Sequence, residues 1–168
     1  HEHPPLGQLL IALGETIIKG NVRPDQFIDL EKVGEIPKNF SFAGYRFIPT
    51  ICAWLLPLAF FLITLNLVDN KIIAFLLSFL VLFDNTMIVH FRAAMLDAPL
   101  ILFIAISILF FLLALKNKEY SKRLAFSSIG LGVSVGLVAT TKVTGLIVLL
   151  LIPLLFSKLF PHWRKVIL

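Results

Sequence analysis

The feature that most constrains this chain is a series of long stretches without a single charge. Phe47 to Val68 gives 22 uncharged residues, Ala98 to Leu115 gives 18, Leu124 to Thr141 gives 18 and Val143 to Ser157 gives 15. A helix needs about 20 apolar residues to cross a hydrocarbon core. A further run, Ile72 to Phe83, is uncharged for 12 residues. It extends toward His90 if Asp84 lies near the headgroups or faces other helices. Residues 124–160 cannot form one helix, because 37 residues at a rise of about 1.5 Å each would be nearly twice the core thickness. Lys142 marks the turn, since a lysine costs around 3 kcal/mol at the centre of a span and little at an interface.

Composition agrees. Hydrophobic residues make up 58% of the 168, charged residues only 15%, and phenylalanine occurs 16 times. That leaves too little polar surface to cover a soluble body of this size. The single cysteine, Cys52, lies inside an apolar run and has no internal bridging partner. A net charge of +5 would point to nucleic acid in a soluble domain. Here the cations fall between apolar runs, so membrane lipid is the expected partner and nucleic acid is not.

The expected fold is an all-α integral membrane protein, a polytopic helical bundle. About five transmembrane helices fall near 47–68, 72–90, 98–115, 124–141 and 143–160, preceded by an external region, 1–46. Orientation follows from cations in short loops. Lys116 to Arg123 carries four Lys and Arg against one Glu, and Trp163, Arg164 and Lys165 add an aromatic belt residue and two more cations. Both are expected in the cytoplasm, together with Asp69 to Lys71. Residues 1–46, the Asp84 to Asp97 region and Lys142 then face the external or lumenal side.

The first 46 residues differ in kind. Pro4 and Pro5 stiffen the chain. Leu6, Leu9, Leu10, Leu13 and Ile17 then recur at helical spacing, with Gln8, Glu15 and Lys19 elsewhere. This describes an amphipathic helix along the outer interface, ending near Gly20. Asn21 to Ser41 reads as an external loop. A polytopic chain that starts outside reads as part of a longer one with an earlier helix. Gly130, Gly132 and Gly136 lie within a span, where close helix packing through Gly132 and Gly136 is expected rather than phosphate binding.

Polar groups at the ends of lipid-embedded helices are costly unless they pair or work. Glu2 with His3, Arg46, Asp84, the pair Arg92 and Asp97, and Lys142 all fall on the outer face. Arginine and lysine hold phosphate, whereas carboxylate or imidazole orients or deprotonates a hydroxyl. Each also has a structural explanation. Arg46 would snorkel to headgroups, Asp97 would cap the helix that Pro99 enters, Arg92 would pair with Asp97, and Lys142 would be an interfacial turn residue. Glu2 and His3 would be ordinary loop residues, and His90 an interfacial side chain. The residues alone leave the reaction open and give no metal motif.

Four elements carry a resemblance. His3 to Gly14, HPPLGQLLIALG, resembles the HPPxGK-type motif of the protein O-mannosyltransferase family, membrane glycosyltransferases with the GT-C fold. Arg46 in GYRFIPTICAWLLPL is similar to the family's arginine at the start of the helix after that outer loop. DNTMIVHFRAAMLDAPLILF, Asp84 to Phe103, resembles its D, then R eight residues on, then LD. TTKVTGL, Thr140 to Leu146, is similar to its K-x-x-G element. Their order covers most of the chain. Gln8 stands where the family motif usually has lysine.

The resemblance implies transfer of a sugar, mannose in the best known members, from a polyprenyl or dolichyl phosphate carrier to a protein serine or threonine hydroxyl. It makes Arg46, Asp84, Arg92, Asp97 and Lys142 donor-site residues, with Asp97 orienting Arg92, and leaves Glu2 and His3 to shape the pocket. The family's acidic pair, including the catalytic carboxylate, would precede His1, so residues 1–168 alone are expected to be inactive. Beyond the lipid-linked donor no cofactor or metal is specified, and no dimer partner. The alternatives are a GT-C enzyme that glycosylates a lipid from undecaprenyl-phosphate sugar, and a transporter or scaffold segment. A lysine before the prolines is commoner in the lipid-directed branch, and charges confined to span ends weigh against an ion path.

Overall fold

The structure, a computed structural model, describes residues 4–22, 36–37, 39–117 and 121–156. Among these it contains helices and their connections only. The helices are α1 (Pro5–Ile18), α2 (Ala43–Val68), α3 (Lys71–Phe83), α4 (Asn85–Arg92), α5 (Asp97–Lys116) and α6 (Lys122–Thr141). A last apolar helix, α7 (Val143–Phe156), follows. Its first part, Val143–Leu150, is wound as a 3-10 helix.

Local chemistry explains most boundaries. Asp69 ends α2 in the left-handed conformation at φ 54°, which short polar side chains tolerate. Asn70 then caps α3, its Oδ1 accepting from the Ile72 and Ile73 N–H groups at 3.0 and 3.2 Å. Ser121 caps α6 by accepting from Leu124 N–H. Each cap satisfies a donor that the first helical turn leaves orphaned. Pro99 falls in the first turn of α5, where its missing N–H costs nothing. Pro49 and Pro57 lie inside α2, a position that membrane helices tolerate better than soluble ones.

Three helices, α2, α5 and α6, are long and apolar enough to cross a membrane, with 26, 20 and 20 residues. Of the other two expected spans, one is interrupted and one reaches past the described residues. The span near 72–90 is not continuous, because Asp84 adopts an extended backbone and restarts the chain as α4, its Oδ1 accepting from Met87 N–H at 2.8 Å. A capping carboxylate ends one helix by serving the next. In the span expected at 143–160, residues 157–160 lie outside those described, as do Trp163, Arg164 and Lys165. The 3-10 winding stretches what is described, since each residue there rises about 2.0 Å rather than 1.5 Å.

Helix α5 is the central element. On one side Ala98, Leu102 and Ala105 pack with Cys52, Leu56, Ala59 and Ile63 of α2 and Phe91 of α4. On the other, Leu100 and Ala114 join Leu124, Leu131, Val135 and Val138 of α6 and Val148 and Leu155 of α7. The outward faces are apolar too. Ile72, Phe75, Leu76, Phe79, Leu80 and Phe83 of α3 are exposed, a surface that belongs in lipid rather than water.

The glycine expectation is also corrected. Among the described residues nothing lies within 4 Å of a Cβ placed at Gly132 or Gly136, whereas one at Gly130 would strike the Phe110 ring, at 2.5 Å. Leu131, Ser134, Val135 and Val138 turn toward the core. Their spacing of three to four residues sends Gly132 and Gly136 to the opposite side.

Candidate active site

One end of the bundle is assembled by α1. Its buried residues are Gly7 and Gly14, seven positions apart and therefore on one face. A Cβ at Gly7 would meet Leu96 at 2.7 Å and Thr141 at 3.3 Å, and one at Gly14 would collide with the Gly44 carbonyl oxygen. Glycine lets α1 lie directly across the start of α2, the residue before α5 and the end of α6. Leu9, Leu13 and Ile17 are exposed on its other side. Because α1 touches all three helix ends, Arg46, Asp97 and Lys142 share this end of the molecule.

Lys142 sits in extended backbone between α6 and α7. Its Nζ donates to Asp97 Oδ1 at 2.8 Å, with the two side chains 26% and 32% exposed. This pairing replaces the expected one between Asp97 and Arg92. The capping expectation for Asp97 is replaced as well: Leu96 is the cap position, without a side-chain hydrogen bond, and Asp97 is the first residue of α5. There the carboxylate still benefits from the positive end of the helix dipole. Gly7 touches Leu96 and Thr141, the immediate neighbours of the pair, so the segment that begins Pro4-Pro5 runs beside it.

The arginines have a different setting. Arg46, exposed on the first turns of α2, stacks over the Phe42 ring at 4.9 Å. It lines an open groove of about 580 Å³ with Phe47, Thr50, Trp54 and Leu55. Arg92, also exposed, lines a second cavity of about 230 Å³ with Thr50, Trp54, Pro57, Leu82 and Phe91. Thr50 and Trp54 belong to both. Trp54 is 81% exposed, so the two hollows form neighbouring parts of an outward, mostly apolar trough with an arginine at each. Among the described residues neither arginine has a carboxylate partner within salt-bridge distance.

Asp84 is exposed and occupied as the α4 cap, and His90 lies in the last turn of that helix. Glu2 and His3 lie outside the described residues. Among those described, no group of three or more His, Cys, Asp or Glu side chains is arranged to hold a metal ion. A polar cluster with no local motif joins the same end of the bundle. Glu15 Oε1 accepts from the backbone N–H and the side-chain amide of Asn21, at 2.8 and 3.0 Å. Asn21 in turn holds the backbone of Ser41, donating to its carbonyl and accepting from its N–H, both at 2.8 Å.

The sequence model of the dolichyl-phosphate-mannose-protein mannosyltransferases matches residues 1–168. The chain belongs to that family. Its bundle is similar to part of the S. cerevisiae protein O-mannosyltransferase Pmt1-Pmt2 complex bound to the sugar donor, with a TM-score of 0.80 and 23% identity. The match covers 95% of this chain and 22% of that one, so the chain spans under a quarter of that relative's length. No curated protein matches. Family membership and the three long apolar helices make this mannosyltransferase-family chain a membrane protein. The four sequence elements that carry the family likeness fall at or beside the end that α1 covers.

Proposed function

We propose that this chain forms the donor-phosphate side of a multi-pass membrane enzyme that transfers mannose from a dolichyl or polyprenyl phosphate carrier to serine or threonine hydroxyls of a protein. The carrying observation is the trough on α2 and α4, in which Arg46 and Arg92 stand beside apolar walls that share Thr50 and Trp54. A phosphate attached to a long hydrocarbon needs that combination, cations at headgroup depth and an apolar surface for the chain.

In the reaction the acceptor oxygen attacks C1 of the sugar and the bond from C1 to the phosphate oxygen breaks. The phosphate leaves with the electron pair, and the hydroxyl proton passes to a general base. By the family resemblance that base is an acidic residue outside residues 1–168. Arg46 and Arg92 meet the charge gathering on the departing phosphate. Lys142, fixed by Asp97, keeps further N–H donors for the same phosphate, while Glu2 and His3 shape the acceptor side. The active face is external or lumenal. Lys71, Lys116, Lys122 and Arg123 lie at the helix ends far from α1, as cytoplasmic cations do.

The test uses membranes containing the full-length protein, a radiolabelled polyprenyl-phosphate mannose and an acceptor peptide. Label in the peptide is the expected result. Label in a lipid instead would favour the lipid-directed enzyme, and ion flux without transfer would favour a transporter.

A further inference from the structure

The Glu15, Asn21 and Ser41 cluster joins parts of the chain 20 residues apart at the point where the arginine-bearing helix begins. Asn21 bonds both backbone groups of Ser41, as a neighbouring strand would, and Glu15 Oε1 holds Asn21 by two donors. The other oxygen, Glu15 Oε2, is buried without a hydrogen-bond partner among the described residues. It lies against Gly44, where any Cβ would overlap it. Leaving a carboxylate oxygen unpaired costs free energy. The first turn of α2 sets its positive end beside that oxygen and offsets part of the cost.

The residue after Ser41 is Phe42. Its carbonyl accepts from Arg46 N–H at 3.0 Å, and its ring lies 4.9 Å under the guanidinium. Phe40, on the other side of Ser41, meets the Phe42 ring edge-on at 4.8 Å and stacks on Tyr45 at 5.7 Å. The clamp therefore fixes the backbone between Phe42, the ring that underlies Arg46, and Phe40, the ring packed against it.

We infer that Glu15, acting through Asn21 and Ser41, is a positioning residue for Arg46, a latch that sets the guanidinium toward the donor phosphate. This rests on the mannosyl-transfer reading above. A lone arginine on an exposed first turn samples many rotamers, and orienting it in advance lowers the entropic cost of holding an anion.

The test again uses the full-length protein in membranes, with dolichyl-phosphate mannose as donor and an acceptor peptide. Glu15→Ala and Asn21→Ala each raise the donor KM about tenfold while kcat changes less. On an Arg46→Ala background Glu15→Ala adds no more than about twofold, because two changes acting through one group are not additive. Fully additive losses overturn the proposal in favour of a general folding role. Glu15→Gln keeps an oxygen for both Asn21 donors and recovers the donor KM to within about threefold.

A second measurement needs no activity. A Cβ on Gly20 stands 3.2 Å from Ser41 Cβ, close to the separation of about 3.5 Å at which disulfides form. Gly20→Cys with Ser41→Cys is therefore expected to crosslink, detected by protection from thiol alkylation. On the Asn21→Ala background the oxidised crosslink restores the donor KM and reduction removes it. Absence of the crosslink overturns the latch itself. A crosslink in a protein whose wild type transfers no mannose refutes the mannosyl-transfer reading, and the positioning role falls with it.

Discussion

Lys142 and the two arginines occupy the same end of one bundle in opposite electrostatic situations. Lys142 meets Asp97 at 2.8 Å across 45 residues of sequence, and about a quarter of its side chain is exposed. Arg46 and Arg92 lie beside an apolar trough and have no carboxylate within reach among the described residues. A lysine whose charge is matched within the protein is held in place whether or not a ligand is bound. An arginine left unmatched beside a lipid-facing surface gains most when an anion arrives from outside. On the proposed reading the pair is a charge-matched anchor whose lysine keeps spare N–H donors for the carrier phosphate, and the arginines are the unmatched cations that gain most from its arrival.

The comparison is most exposed to failure at the ion pair. Removing one partner strands the other charge, so in the full-length enzyme Asp97→Ala and Lys142→Ala are each expected to lower kcat/KM about 30-fold, a value below that of a fully buried pair because both side chains are partly exposed. The double variant should lose no more than either single one, and simple additivity would dissolve the pair as a unit. Donor titrations sharpen the other half. Arg46→Ala and Arg92→Ala are each expected to raise the donor KM about tenfold, as for loss of one charge-assisted hydrogen bond. Unchanged kinetics would make both arginines simple headgroup anchors.

Smaller effects probe what brings the two sets together. Gly14→Ala sets a methyl group on the Gly44 carbonyl and is expected to destabilise the detergent-solubilised protein by about 1 kcal/mol. Gly132→Ala and Gly136→Ala, with open space around them, should leave the melting temperature unchanged or slightly higher. A comparable loss at all three positions would contradict the orientation of α6. Last, Asp84→Ala removes an exposed cap at a cost of about 0.5 kcal/mol and is expected to leave the donor KM alone. A large rise there would move Asp84 from capping to carrier binding.

Some of the site was legible in the residues and some was not. The family elements marked Arg46, Arg92, Asp97 and Lys142 because polar groups at the ends of apolar runs stand out. The contact between Asp97 and Lys142 is not legible in the sequence, since Arg92 is five residues away and Lys142 is 45. Nearness in sequence favoured the arginine, but α4 turns it toward α2. In the sequence Glu15 is one polar residue of an amphipathic helix. Neither Glu15 nor Asn21 belongs to a motif, and their bonds appear only when α1 is laid against α2.

Uncharged length, prolines and capping side chains are local properties, and they determined that this chain is a helical membrane protein with turns near Asp69, Ser121 and Lys142. The rotation of each helix about its axis was left to tertiary packing. Helix α5 is apolar on every side, so its sequence carries no stripe that says which residues face α2, which face α6 and which face lipid. Only the packed bundle selects Gly130 over Gly132, gives Lys142 to Asp97 and leaves two arginines beside one trough. Those choices depend on shape fit between segments far apart in the chain, which local composition does not encode.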